Sequence, residues 1–168
     1  HFLNTMKRAQ DSEVFQSCKS YLLKHADMFE KVTKEDIDNI SGDICNSVTI
    51  STLHGCPPQE IEKIAMYLIE EKGFHTFIKC NPTLLGYEFA RKTMDDMGYD
   101  YVAFGDFHFK DDLQWEDAVP MLNRLMKVCS ERGLEFGVKI TNTFPVDVKQ
   151  NELPSEEMYM SGKSLYPL

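Results

Sequence analysis

The sequence predicts an α/β protein, a partial (β/α)8 TIM-like barrel of about four parallel β/α units preceded by N-terminal helices, and three observations lead there. Short β-branched or aromatic runs alternate with apolar residues at helical spacing from residue 46 onward. The connections are too long for hairpins, which argues for parallel strands joined by right-handed crossovers. Polar residues gather at the C-terminal ends of those strands, the edge at which a barrel or doubly wound sheet binds its ligands. Neither a phosphate loop nor a G-x-G-x-x-G run occurs, so a Rossmann-type sheet loses ground. A complete barrel takes about 250 residues. The 168 residues here would hold around half of one.

Composition bounds the rest. With 42% hydrophobic and 27% charged residues, the chain can bury one good core and is not a disordered segment. The net charge is -9 with the acidic residues scattered, which disfavours nucleic acid and anionic membranes as partners. No apolar run approaches the roughly 20 residues of a membrane span, and the first residues lack a signal-peptide pattern, so a cytoplasmic location is expected. The chain opens on His1 rather than methionine and reads as an excised piece. Its five cysteines include no C-x-x-C pair, so neither a disulfide framework nor a metal or iron-sulfur site is expected within it. They should stay reduced, most of them as buried filler.

In chain order, Val14, Phe15, Cys18, Tyr21, Leu22, His25 and Phe29 form one stripe and predict an amphipathic helix over 12–29. Thr33 and Asp36 make a variant capping box for a short helix that Ser41 and Gly42 end. Residues 1–44 thus form a helical segment ahead of the barrel portion, 45–168, the two making one structural unit. A strand over 47–52 then feeds a helix carrying Ile61, Ile64, Ala65, Leu68 and Ile69, capped by Gly73. Pro57 and Pro58 suit the entry to that helix, where a missing N–H costs nothing. His54 and Cys56 are therefore presented near a helix N-terminus, which favours a thiolate or a bound anion. Taken alone, Gly55-Cys56-Pro57-Pro58 is more economically a tight turn.

The pattern repeats: strand 74–80, loop 81–86, helix 87–97 ending at Gly98, and strand 99–104. A polar and aromatic loop over 105–114 follows. Pro120 places the start of the next helix near Val119, after an irregular turn carrying Trp115. Strand 134–141 comes last, with a long loop from Asn142 onward. Polar residues at the strand ends are His54 and Cys56, Lys79 and Asn81, Asp106, His108 and Lys110, then Lys139, Thr141, Asn142 and Thr143. Lys79 and Lys139 stand out, because a lysine inside an apolar strand needs a polar partner or an open site. Asp106, His108 and Lys110 serve equally well as loop solvation.

The runs CNSVTISTLHGCPPQEIEKIA, KCNPTLLGYEFARKTMDDMGYDY, GLEFGVKITNTFPV and EMYMSGKSLYPL carry a resemblance over 45–168. They resemble the bacterial iron-sulfur flavoprotein family named for selenate reduction, part of which is similar to the FMN-linked barrel of dihydroorotate and dihydropyrimidine dehydrogenases. The resemblance implies FMN in the full-length parent, with iron-sulfur clusters, FAD and NAD(P)H elsewhere in it. It implies that Cys56, on a Cys-Pro pair, donates or accepts a proton beside the substrate, with His54 next to it. It implies flavin contact by Lys79 or Lys139 and a flavin-covering segment at Ser161 and Gly162. It further implies that Asn142 and Thr143 orient the substrate, with Asn81 beside them.

The expected reaction is reduction of an activated double bond in a polar, purine- or pyrimidine-like heterocycle, or of selenate as the family name has it. Hydride would come from flavin and the proton from Cys56. The partners are then a small-molecule substrate and the other domains of the same polypeptide. By itself this piece should bind FMN weakly or not at all, be inactive, and self-associate through open strand edges. Two other classes remain: a lyase or aldolase barrel using Lys139 as a Schiff-base amine, and a docking module without activity of its own.

Overall fold

A computed structural model describes residues 1–52, 55–151 and 153–168. The chain divides into two compact units, His1–Asn46 and Ser47–Leu168. The first is helical: α1 (Phe2–Ala9), α2 (Glu13–Lys24), a 3-10 turn at Ala26–Met28, and α3 (Lys34–Asp38). Ser12 starts α2 by accepting a hydrogen bond from the Phe15 N–H at 3.2 Å. The helix stops short of the expected Phe29, and its apolar stripe stays exposed within this unit, Val14 at 72% and Tyr21 at 65%. The Thr33/Asp36 capping box forms in both directions: the Asp36 N–H donates to Thr33 Oγ1 and the Thr33 N–H to Asp36 Oδ2. Thr33 Oγ1 also donates to Asp36 Oδ2 at 2.7 Å, and that bond, with the one from the Thr33 N–H, holds the Asp36 carboxyl below the usual carboxylate range.

The second unit is α/β and carries the sheet. β1 (Ser47–Ile50), β2 (His75–Lys79) and β3 (Phe136–Lys139) are parallel, in the order β1-β2-β3. Helices α4 (Pro58–Glu70) and α7 (Trp115–Glu131) cover one face. There Ile50 and Ile78 meet Ile61, Ala65 and Ile69 of α4 and Met121, Leu125 and Cys129 of α7 in one buried cluster. An ion pair joins the two helices outside that core, with Arg124 Nε and Nη2 donating to Glu62 at 2.6 and 2.7 Å. Helix α5 (Tyr87–Asp96) ends in a double hydrogen bond that Gly98 permits at φ 82°, from the Gly98 N–H to the Asp95 carbonyl and from the Tyr99 N–H to that of Met94.

The α/β partial-barrel reading holds, with three differences in its parts. Residues 99–104 form no strand. Arg91 donates to the carbonyls of Val102 and Tyr99, the Asp147 N–H donates to that of Ala103, and Phe104 turns into an aromatic cluster with Tyr87, Phe109 and Phe144. The carbonyls a ladder would use are taken by a side chain and by a later segment. Helix α7 starts at Trp115 and runs through Pro120. Pro120 forfeits only the bond to the Glu116 carbonyl, and fully buried Ala118 and Met121 on either side of it keep that turn packed.

The expected long loop after Asn142 contains an antiparallel hairpin, β4 (Phe144–Asp147) with β5 (Glu157–Met160). Phe144 and Val146 of β4 are buried with Ala90 and Met94 of α5, Phe109 of the short α6 (Phe107–Asp111), and Leu165. Among the described residues no helix is long and apolar enough to cross a membrane. Nor does any cluster of three or more His, Cys, Asp or Glu side chains fit a metal ion.

Candidate functional site

The sheet has two unlike faces, and the contrast places the site. Ile50 and Ile78 point to the helices. The alternate positions are Thr49 and Ser51 along β1, His75, Phe77 and Lys79 on β2, and Gly137 and Lys139 on β3, so the opposite face is largely polar. Phe77 and Gly137 are register partners on it. A Cβ on Gly137 would meet the Phe77 ring at 2.8 Å, so the ring lies directly on the Gly137 backbone.

Two residues further along, Lys79 and Lys139 are also register partners, and their side chains leave the same face from neighbouring strands. Lys79 Nζ donates to Ser51 Oγ at 3.4 Å. Among the described residues neither lysine is paired with a carboxylate. They open on a cavity of about 530 Å³ lined also by Asn142, Thr143, Ser161 and Gly162. Seven residues singled out in the sequence, these six and Thr141, thus meet in one place.

The loops above the strand ends are tied by a buried carboxylate that sequence reasoning missed. Asp112, 5% exposed, directly follows α6. Its Oδ1 accepts from the Gly55 N–H at 3.1 Å; its Oδ2 accepts from Asn81 Nδ2 at 3.1 Å and Thr83 Oγ1 at 2.7 Å. Asn81 Oδ1 in turn accepts from Asn142 Nδ2 at 2.8 Å, and Asn142 Oδ1 accepts from the Thr143 N–H at 2.8 Å. A chain of hydrogen bonds therefore runs from the loop after β1, across the loop after β2, to the cavity beyond β3. Asn81 lies on the far side of that cavity's wall, against a second, apolar cavity of about 340 Å³ between β3, the loop after β2 and the start of α7.

Other expected residues fall elsewhere. Cys56 is half-buried, immediately before the Pro57 cap of α4, with its sulfur 4.0 Å from the Pro57 carbonyl oxygen and its side chain against the helix-side core. It is not in the cavity's lining, although its neighbour Gly55 is bound to Asp112. His54 lies outside the described residues. Asp106 and Lys110 pair with each other at the two ends of α6, and His108 meets Glu157 of β5 at 3.1 Å. Of the other cysteines, Cys80 and Cys129 are buried, and desolvation raises both thiols above their ordinary pKa; Cys18 and Cys45 are exposed. A signal for Asp112 and Thr83 was present only faintly: Thr83 stands two residues past Asn81, and Asp112 closes the loop that holds His108 and Lys110.

In chemical terms the cavity presents two unneutralised ammonium groups, amide and hydroxyl donors, and a glycine-lined approach. That donor set suits a polar ligand bearing negative charge or several acceptor atoms.

The family model described as oxidoreductase YgfK, N-terminal TIM-barrel domain, matches residues 1–168. The protein named "Putative oxidoreductase YgfK" from Escherichia coli strain K12 is 50% identical over 123 residues, 73% of this chain. Its counterpart in E. coli O157:H7 matches to the same extent. The chain spans 12% of the length of these relatives. No solved structure matches it. By its family model, the chain belongs to the family described as the N-terminal TIM-barrel domain of oxidoreductase YgfK.

Proposed function

We propose that this domain is the flavin-dependent reducing centre of a larger oxidoreductase and that its substrate is a polar heterocycle with an activated double bond. The observation that carries the reading is the cross-strand pair Lys79–Lys139, two cations side by side on the polar sheet face with no carboxylate between them. Lys79 is half-buried and Lys139 exposed, so solvent keeps their mutual repulsion small while the two together offer a positive potential to an anionic or electron-rich group. The residues lining the cavity suit an FMN ring: the lysines would hold negative charge on it, and Ser161 and Gly162 would cover it. When bound, FMN supplies the hydride.

The chain's own residues do the rest. Asn142 and Thr143, with Asn81 behind them, orient the substrate by hydrogen bonds to its polar edge. Cys56 sits on the loop that Gly55 ties to Asp112 but packs toward the helix-side core, so its Sγ would serve as the acid for the substrate only once that loop turns the side chain into the cavity. Selenate is the weaker substrate reading, since an oxyanion of that kind would want a denser cationic pocket than two lysines.

The test is a visible spectrum of the full-length protein before and after anaerobic addition of NADPH. Flavin bands that bleach, together with a Cys56→Ala variant that keeps its flavin and loses about 10²–10⁴-fold of turnover on a heterocycle panel, support the assignment. A colourless protein that FMN does not reconstitute overturns it.

A further inference from the structure

The geometry points to Asp112 as the positioning residue of this cavity: through Asn81 it fixes the Asn142 side chain as a hydrogen-bond donor to the bound ligand. The inference rests on the cavity being the ligand site. A carboxylate only accepts, so the Asn81 atom facing Asp112 Oδ2 has to be Nδ2. That leaves Asn81 Oδ1 toward Asn142, which must answer with Nδ2. At the far end the Thr143 N–H can only donate, and it meets Asn142 Oδ1. Both amides are thus held in one sense by a carboxylate at one end of the chain and a backbone donor at the other. Asn142 Nδ2 carries two hydrogens and Asn81 takes one, so the ligand meets the second.

The charge matters as much as the shape. Among the described contacts three donors, the Gly55 N–H, Asn81 Nδ2 and Thr83 Oγ1, converge on the two oxygens of one buried side chain. No neutral side chain of that size accepts from both sides at once. In Asp112→Asn the new amide group faces either the Gly55 N–H or Asn81 Nδ2, donor against donor. The mismatch is relieved when both asparagines of the chain turn over, and Asn142 then opposes Oδ1 to Asn81 and its amide to the Thr143 N–H. The cavity would lose its donor and the loop after β3 its anchor. The substrate class that follows carries a carbonyl oxygen or an unprotonated ring nitrogen at the Asn142 edge, and an analogue with N–H or NH₂ there is rejected.

The experiment needs no substrate. Side-chain amide signals of Asn81 and Asn142 are followed by ¹H–¹⁵N NMR in this chain, in Asp112→Asn, in Thr83→Val, and in the exchange Asp112→Asn with Asn81→Asp. The exchange moves the carboxylate one step along: residue 112 then accepts from Gly55 and donates to residue 81, which accepts from Asn142 Nδ2. The expected result is that Asp112→Asn shifts the Asn142 pair and speeds its solvent exchange, Thr83→Val leaves it in place, and the double variant restores it. If Asp112→Asn does not fold, restoration of fold and signals in the double variant carries the same conclusion. Unmoved Asn142 signals in a folded Asp112→Asn, an equal shift in Thr83→Val, or no restoration in the double variant overturns the inference.

Free FMN is the probe for the second arm, titrated by flavin fluorescence into the full-length protein. There Asp112→Asn binds FMN as the unmodified protein does, because Asn142 serves the substrate rather than the flavin; a loss of about tenfold in the folded variant would overturn that assignment of Asn142. Absence of FMN binding by the unmodified protein would sink the flavin reading alone, leaving the amide signals to decide the role of Asp112.

Discussion

At the scale of single residues the molecule turns on which charges are neutralised. Glu62 has its partner: hydrogen bonds from Arg124 hold its carboxyl below the usual range. The stabilisation is therefore complete above the unfolded carboxyl's pKa, about 4.3, and is lost as pH falls through the lower folded value. Glu62→Gln should unfold at lower urea than the unmodified chain at pH 7, and the two curves should converge as the pH drops below about 4. Among the described residues Lys79 and Lys139 have no such partner. Replacing either by glutamine in the full-length protein should weaken FMN binding by roughly tenfold or more, since a hydrogen bond to a charged group is worth about 1.5–3 kcal/mol. The loss should shrink at high salt if the interaction is mainly Coulombic. Unchanged affinity in both variants would show that the lysines face something other than the flavin.

At the scale of elements, β2 and β3 are locked by a contact one residue wide. The Phe77 ring occupies the space a side chain at 137 would need, 2.8 Å from where its Cβ would lie. Gly137→Ala should cost about 1–3 kcal/mol in urea unfolding, and adding Phe77→Ala should recover much of it through relief of overpacking. The strands themselves were legible because their signal is local: short apolar runs bounded by glycine and proline, with a lysine breaking the run where it reaches the site. The capping box and the glycine stops were readable for the same reason. Residues 99–104 carry an equally good strand pattern and form none, because Arg91 and Asp147 claim their carbonyls from elsewhere in the fold. The β4–β5 hairpin was hidden by Pro145, which a two-stranded ribbon tolerates, and by a connection that carries no tight-turn signal. Within the site, the two lysines, Asn142 and Thr143 could be picked out one by one. Asp112 could not: nothing near the pair Asp111-Asp112 says which carboxylate is buried, and the donors Gly55, Asn81 and Thr83 arrive from two other loops.

At the scale of the whole molecule, the described sheet has three strands and so two edges, β1 and β3. Edge strands offer unpaired backbone groups to any second chain unless they are blunted by charge, proline or a covering element. On β3 the hydrophobic positions are open: Val138 is 42% exposed and Ile140, just past the strand end, 70%. Both line the apolar cavity of about 340 Å³ together with Leu85 and Trp115, themselves half exposed. Lys139 lies between them in sequence but on the other face, where it blunts nothing on the apolar side. Water is thus left against apolar surface beside a row of hydrogen-bonding groups, a combination that favours edge-to-edge pairing over a solvated monomer. The 168-residue chain should therefore run as a dimer or larger in light scattering, with a mass that rises with concentration. Val138→Lys puts a charge into the apolar cavity wall and should shift that mass toward the monomer while leaving the Lys79–Lys139 face intact. Self-association undiminished by Val138→Lys would place the contact away from β3, and a monomer mass independent of concentration in the unmodified chain would mean that neither edge recruits a partner.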